Sequence, residues 1–72
     1  MRKFLATLYD CDGDYITCFV FESERGEVPQ IVPDRMRKKG AYRAVVQDGA
    51  RGYQTAEVVY RNGDYIVKGA RE

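Results

Sequence analysis

The amino-acid sequence predicts a small, mainly β domain with one short helix, and three observations support this fold class. Runs rich in β-branched and aromatic residues recur along the 72 residues. The turn sequences D-G at 12–13 and N-G at 62–63 each separate two such runs. A chain of this length has room for one core, so residues 1–72 form a single domain.

The predicted element order is ββ(α)βββ. For this order a small antiparallel barrel or an SH3-like sheet is the most economical architecture. The alternative is an open α+β sheet with one helix on its face.

The clearest hairpin spans residues 53–68. Asn62 and Gly63 both tolerate positive φ, which suits a two-residue type I′ turn. Such a turn pairs Arg61 with Asp64 and fixes the pairing of every residue further along both strands. One face then carries an unbroken apolar patch, which predicts the core face: Ala56, Val58, Tyr60, Tyr65 and Val67.

A second hairpin is predicted over residues 3–22 because Asp12 and Gly13 favour the same kind of two-residue turn. This register places Tyr9 opposite Ile16. Both faces of these strands are apolar, and such strands are usually covered on both sides. We therefore expect this hairpin to lie in the centre of a sheet or to wrap round in a barrel.

The segment between the hairpins predicts a loop at 22–27, extended chain at 28–32 and then a helix of one or two turns. Pro33 suits the first helical position and Gly40 suits a left-handed exit. Met36 is the expected apolar anchor, with Val32 as a second. A third strand follows at 41–47, then a longer turn at 48–52, and residues 69–72 form a polar tail.

The two cysteines are expected to be free thiols. In the predicted register Cys11 and Cys18 lie four residues apart along the ladder, about 13 Å at the strand rise. That separation is beyond the reach of a disulfide. We expect Cys18 to act as a small buried hydrophobe.

The composition limits the functions open to the chain. Histidine, the commonest general base and transition-metal ligand, is absent. Neither cysteine has a cationic neighbour in the predicted pairing, so we expect no catalytic residue and no cofactor. Apolar runs fall well short of the roughly 18 residues of a membrane span, and the N-terminal segment is too short for a secretory signal. A cytoplasmic protein without membrane contact is expected.

The acidic turn invites comparison with a calcium loop, since Asp10, Asp12 and Asp14 alternate. An EF-hand starting at Asp10 needs glycine where Tyr15 stands and glutamate where Phe21 stands. The pattern therefore predicts a solvated turn and no metal site.

The strongest functional candidate is the segment R-M-R-K-K at 35–39. Four cations in five residues repel one another, and a helix C-terminus, phosphates or an acidic protein surface can compensate them. A solvated basic face without a function is the other interpretation. The predicted binding residues in and around segment 33–43 are Arg35, Arg37, Lys38, Lys39, Tyr42, Arg43 and Tyr53.

The preferred function is a non-enzymatic interaction or regulatory module that binds the acidic surface of another protein. A small nucleic-acid-binding domain, with the same cations on phosphates and Tyr42 or Tyr53 on bases, is the alternative. The net charge of +1 favours the first. Because so small a core supplies on the order of 3–5 kcal/mol of stability, a homodimer is a further expectation.

Overall fold

A computed structural model describes residues 2–24 and 28–69. One helix and five strands follow the predicted order: β1 Arg2–Tyr9, β2 Tyr15–Ser23, α1 Ile31–Lys39, β3 Arg43–Asp48, β4 Gln54–Arg61 and β5 Asp64–Lys68. All strand pairs are antiparallel, in the order β2-β1-β3-β4-β5. The β-rich class is confirmed, and the sheet is the open one that the sequence gives as the alternative to a barrel.

The β4–β5 hairpin has the predicted register along its whole length. Asn62 and Gly63 have φ values of 53° and 85°, as a type I′ turn requires. Arg61 pairs with Asp64, and the ladder continues in step to Glu57 opposite Lys68.

The β1–β2 hairpin has the predicted register except beside its turn. Asp10 accepts the N–H groups of Asp12 and Asp14 with its carboxylate, both at 2.9 Å, and this closes a longer loop than the two-residue turn expected. Tyr9 therefore pairs with Tyr15, not with Ile16. The resulting bulge turns Ile16 toward the core, where the sequence had placed it on the opposite face.

Helix α1 begins two residues earlier than predicted. The helix starts at Ile31, and Pro33 lies inside its first turn. The N–H groups of this turn have no partner within the helix, so proline, which lacks an N–H, is tolerated there. Gly40 ends the helix at φ 70°, as expected. Val32 and Met36 are both fully buried and are the two anchors that the sequence indicates.

The core lies between α1 and one face of the sheet. Its buried apolar residues are Phe4, Ala6, Leu8, Phe21, Val32, Met36, Ala41, Ala44, Val46, Ala56 and Val58. The other face, which we call the open face, carries half-buried and exposed side chains such as Leu5, Val45 and Val59. The expectation that both faces of β2 are covered is wrong. Cys18 lies on the open face of this edge strand and is exposed.

Strands β2 and β3 also differ from their predicted bounds. Strand β2 extends to Ser23, one residue beyond the predicted hairpin and into the predicted loop. Strand β3 runs from Arg43 to Asp48, because residues 41 and 42 form the link from the helix. Part of the predicted loop, 25–27, and most of the predicted tail, 70–72, lie outside the described residues.

Replacing Gly63 by valine should lower the free energy of unfolding by about 1–3 kcal/mol, because a β-branched residue is strained at positive φ. Open space surrounds the position where the new Cβ would stand, so backbone strain alone carries the cost. Chemical denaturation of Gly63→Val measures it, and Gly63→Asn is the matched control since asparagine tolerates this conformation. Equal denaturation midpoints for Gly63→Val and the parent would show that the turn is misassigned.

Candidate functional site

The C-terminal turn of α1 concentrates positive charge. Arg37, Lys38 and Lys39 occupy this turn, and all three are exposed. The partial negative charge at the end of the helix stabilises cations there. We call these three residues the basic helix end.

Three tyrosines lie beside the basic helix end. The ring of Tyr42 meets Tyr60 edge to face at a centroid distance of 5.3 Å, and Tyr60 lies 5.0 Å from Tyr65. The guanidinium of Arg37 lies over the Tyr65 ring, 5.2 Å from its centroid. These four residues, with Met36, Gly40 and Ala41, line an open depression of about 230 Å³. We call it the tyrosine cleft.

The remaining helix arginine points the other way. The guanidinium of Arg35 lies 5.0 Å from the centroid of Phe19 on β2, whereas Arg37 reaches Tyr65 on β5. The helix therefore sends one arginine toward each edge of the sheet. The structure brings Arg37 and Tyr42 together in the tyrosine cleft, and Lys38 and Lys39 follow Arg37 in the same helix turn. Arg35 does not line this cleft; it lines a separate depression along the helix with Arg37 and Lys38.

Arg43 and Tyr53 lie on other parts of the surface. Arg43 is on the open face, where it forms a salt bridge with Glu57 and lies 5.5 Å over the Tyr9 ring. Tyr53 lies at the opposite end of β3 and β4 from Tyr42, since its carbonyl accepts the N–H of Asp48. Neither borders the tyrosine cleft.

A partly buried ion pair at the end of β3 is a site that sequence reasoning missed. Asp48, read as a turn residue, is only 2% exposed. One carboxylate oxygen accepts the N–H groups of Ala50 and Arg51, both at 2.9 Å, and the other binds the guanidinium of Arg2. An Asp opening a turn predicts the first two bonds. Arg2 is 46 residues away in sequence, and nothing local indicates that partner.

These contacts shift the pKa values of both members of the pair. The pKa of Asp48 is held below its usual value, although burial alone would raise it. The largest cause is the backbone N–H of Arg51, and the backbone N–H of Ala50 and the charge of Arg2 act in the same direction. A side-chain hydrogen bond with Tyr53, followed by the charge of Asp48, raises the pKa of Arg2. The pair thus ties the start of β1 to the turn after β3.

The acidic turn brings its three carboxylates together. Oxygens of Asp10, Asp12 and Asp14 lie within 4.8 Å of one another. The Asp10 oxygen that accepts two N–H groups already serves the turn, and Asp12 and Asp14 are exposed. The absence of a metal site here stays a prediction.

The two cysteines are free and exposed. The hydroxyl of Tyr15 donates a hydrogen bond to the sulfur of Cys18 at 3.6 Å, and this contact raises the pKa of Tyr15. The expectation of free thiols is confirmed, whereas the expectation that Cys18 is buried is wrong.

Comparison of the chain with protein-family models, with curated proteins and with solved structures found no match. In the described part of the chain, no helix is long and apolar enough to cross a membrane. Any function must therefore be inferred from the chemistry of the surface.

The Asp48 contacts predict how stability depends on pH. Because the folded state lowers the pKa of this carboxylate, its contribution is present at neutral pH and is lost as pH falls below about 4. Asp48→Asn should therefore melt below the parent at pH 7, and the difference in melting midpoint should shrink toward pH 2. Thermal unfolding followed by circular dichroism measures both midpoints.

Asp12→Asn is the control, since it removes one carboxylate from an exposed turn. Its midpoint at pH 7 should stay near that of the parent. A gap between Asp48→Asn and the parent that is the same at pH 7 and pH 2 would contradict the assignment.

Proposed function

We propose that this protein is a non-enzymatic interaction module that binds an acidic surface of another protein through the basic helix end and the tyrosine cleft. One observation carries the proposal: Arg37, in the helix turn that also holds Lys38 and Lys39, lies over the Tyr65 ring at the end of a continuous cluster of three tyrosines. So small a domain would regulate its partner by occupying the partner's surface.

The charge balance on the helix favours an acidic partner. Helix α1 carries four cations and a single carboxylate, Asp34. A guanidinium nitrogen of Arg37 lies 3.5 Å from a carboxylate oxygen of Asp34. Both side chains are largely exposed, so this salt bridge contributes little to stability. Within residues 2–24 and 28–69, Arg35, Lys38 and Lys39 form no salt bridge. Carboxylates of a partner would relieve the repulsion among these cations.

The residue types at the cleft suit protein recognition. Tyrosine and arginine are enriched at the energetic centres of interfaces, where each combines apolar area with a hydrogen-bonding group. Tyr42 is 45% exposed and lies outside the core. The guanidinium of Arg37 is positioned by the Tyr65 ring and can bind a carboxylate through two parallel hydrogen bonds.

The cleft is also built on ordered elements. Tyr60 and Tyr65 face each other across the β4–β5 ladder, and Arg37 lies on a helix anchored by Met36. A surface held in place before binding loses less conformational entropy when the partner arrives. This supports direct recognition by the cleft.

The side chains around the cysteines also favour a binding role over catalysis. With no histidine in the sequence, a nucleophilic thiol would need a nearby cation or another base. The side-chain contact of Cys18 is the Tyr15 hydroxyl, which donates to the sulfur and does not remove its proton. A binding role uses the exposed groups of the helix and cleft without such a base.

The triple variant Arg37→Ala/Lys38→Ala/Tyr42→Ala tests the proposed surface. Fluorescence anisotropy with a labelled peptide rich in Glu and Asp should show binding by the parent. The variant should bind at least about tenfold more weakly, because residues at interface centres contribute more than 1 kcal/mol each. Its melting midpoint verifies that the sheet is intact.

A matched control, Arg51→Ala/Lys68→Ala/Tyr15→Ala, removes the same residue types from exposed positions outside the cleft. It should bind the peptide like the parent. Equal weakening in both triple variants would show a nonspecific charge effect and contradict the proposal. Tighter binding to a single-stranded or duplex oligonucleotide, falling steeply as salt rises, would favour the nucleic-acid alternative instead.

A further inference from the structure

The two edges of the sheet differ in how well they are protected. Folded proteins protect edge strands by keeping them short or by adding charges and proline. Strand β5 has five residues with Asp64 and Lys68 at its ends. Strand β2 has nine residues, no proline or lysine, and Glu22 as its single charge. Among the described residues, β2 pairs only with β1, so no described strand covers its outer side.

The backbone hydrogen bonds identify which groups of β2 face outward. The carbonyl of Lys3 accepts the N–H of Gly49 at 2.9 Å, so this residue of β1 directs its backbone groups toward β3. Directions alternate along an antiparallel strand, and Phe4 therefore faces β2, where it pairs with Phe21. By the same alternation, the backbone groups that point away from the sheet belong to Cys18, Val20 and Glu22. We call these three residues the free edge.

We propose that the free edge pairs with the free edge of a second copy of this chain, antiparallel about a two-fold axis at Val20. The result is one continuous sheet with both helices on the same side. A closed two-fold pairing is the commonest symmetry of homo-oligomers. This surface is separate from the tyrosine cleft, so the inference does not depend on the proposed function.

The strand is complementary to itself in this register. A centre at Val20 pairs every residue of the regular stretch 17–23, and the bulge at Ile16 disfavours centres nearer the turn. Val20, 63% exposed and the most exposed large apolar side chain described, then meets its own copy. Phe19, which is half-buried, lies opposite Phe21 of the partner subunit on the face that carries the helices.

The charge on β2 is also compatible with a second copy of the chain as the partner. Glu22 lies opposite Cys18 of the partner subunit in this register, so like charges do not face each other across the new ladder. Because the pairing uses a single strand of each subunit, we expect it to bury less than the roughly 1,200–2,000 Å² of a standard stable interface. The dimer therefore exchanges with monomer and depends on protein concentration.

Amide hydrogen exchange on the parent protein tests the register directly. As concentration rises, the amides of Cys18, Val20 and Glu22 should gain protection, while those of Phe19 and Phe21 are already bonded to β1. The amides of Tyr65 and Val67, which face outward on β5, should stay unprotected and serve as the internal control. Protection that does not change with concentration at Cys18, Val20 and Glu22 would overturn the proposal.

Sedimentation of edge variants tests the surface. The parent should shift with concentration from 8.3 kDa toward twice that mass. Val20→Lys, which sets two cations against each other across the axis, should stay at 8.3 kDa. Ile66→Lys, on the other edge strand at a 38% exposed position, should dimerise like the parent. A parent that stays monomeric up to about 1 mM, or a Val20→Lys variant that dimerises as well as the parent, would overturn the proposal.

Discussion

The packing of Val32 and Met36 against one face of the sheet is the constraint on which the rest of the structure depends. A nine-residue helix is not stable alone in water, and α1 forms because these two side chains are fully buried. Alanines from β1, β3 and β4 belong to the same core and leave room for the helix to approach: Ala6, Ala44 and Ala56. Without the helix, that face of the sheet would be exposed to water.

This one-sided packing also determines which surfaces are available. With one helix on one face, the opposite face stays open and the sheet keeps two edges. Gly40 caps the helix two residues before Tyr42, and Arg37 of the last helical turn lines the tyrosine cleft. The cleft and the free edge of β2 are thus separate consequences of the same architecture.

The sequence predicts well those features that depend on neighbouring residues. Positive φ at Asn62 and Gly63 fixes the β4–β5 register, and Gly40 fixes the end of the helix. At the acidic turn the same reasoning fails locally, because the Asp10 carboxylate binds the backbone and lengthens the loop. The start of the helix is also misjudged, since Pro33 is tolerated throughout the first turn.

Features that join distant parts of the chain are not predictable in this way. Asp48 has a recognisable turn role, yet its pairing with Arg2 arises only when β1 and β3 become neighbours. The apolar pattern of β2 indicates covering on both faces and cannot show that the strand ends the sheet. Likewise, the basic segment appears as one charged run, whereas the helix separates Arg35 from Arg37 and directs them to opposite sides.

The most direct test of the account is the stability of Met36→Ala, with Ile31→Ala as an exposed apolar control on the same helix. Truncation of a buried methionine costs about 2–5 kcal/mol, which is most of the 3–5 kcal/mol expected for a domain of this size. Helix and sheet signals of Met36→Ala should be lost together in a single transition at a much lower temperature, while Ile31→Ala melts near the parent. A Met36→Ala protein whose helix melts while the five-stranded sheet persists would contradict it.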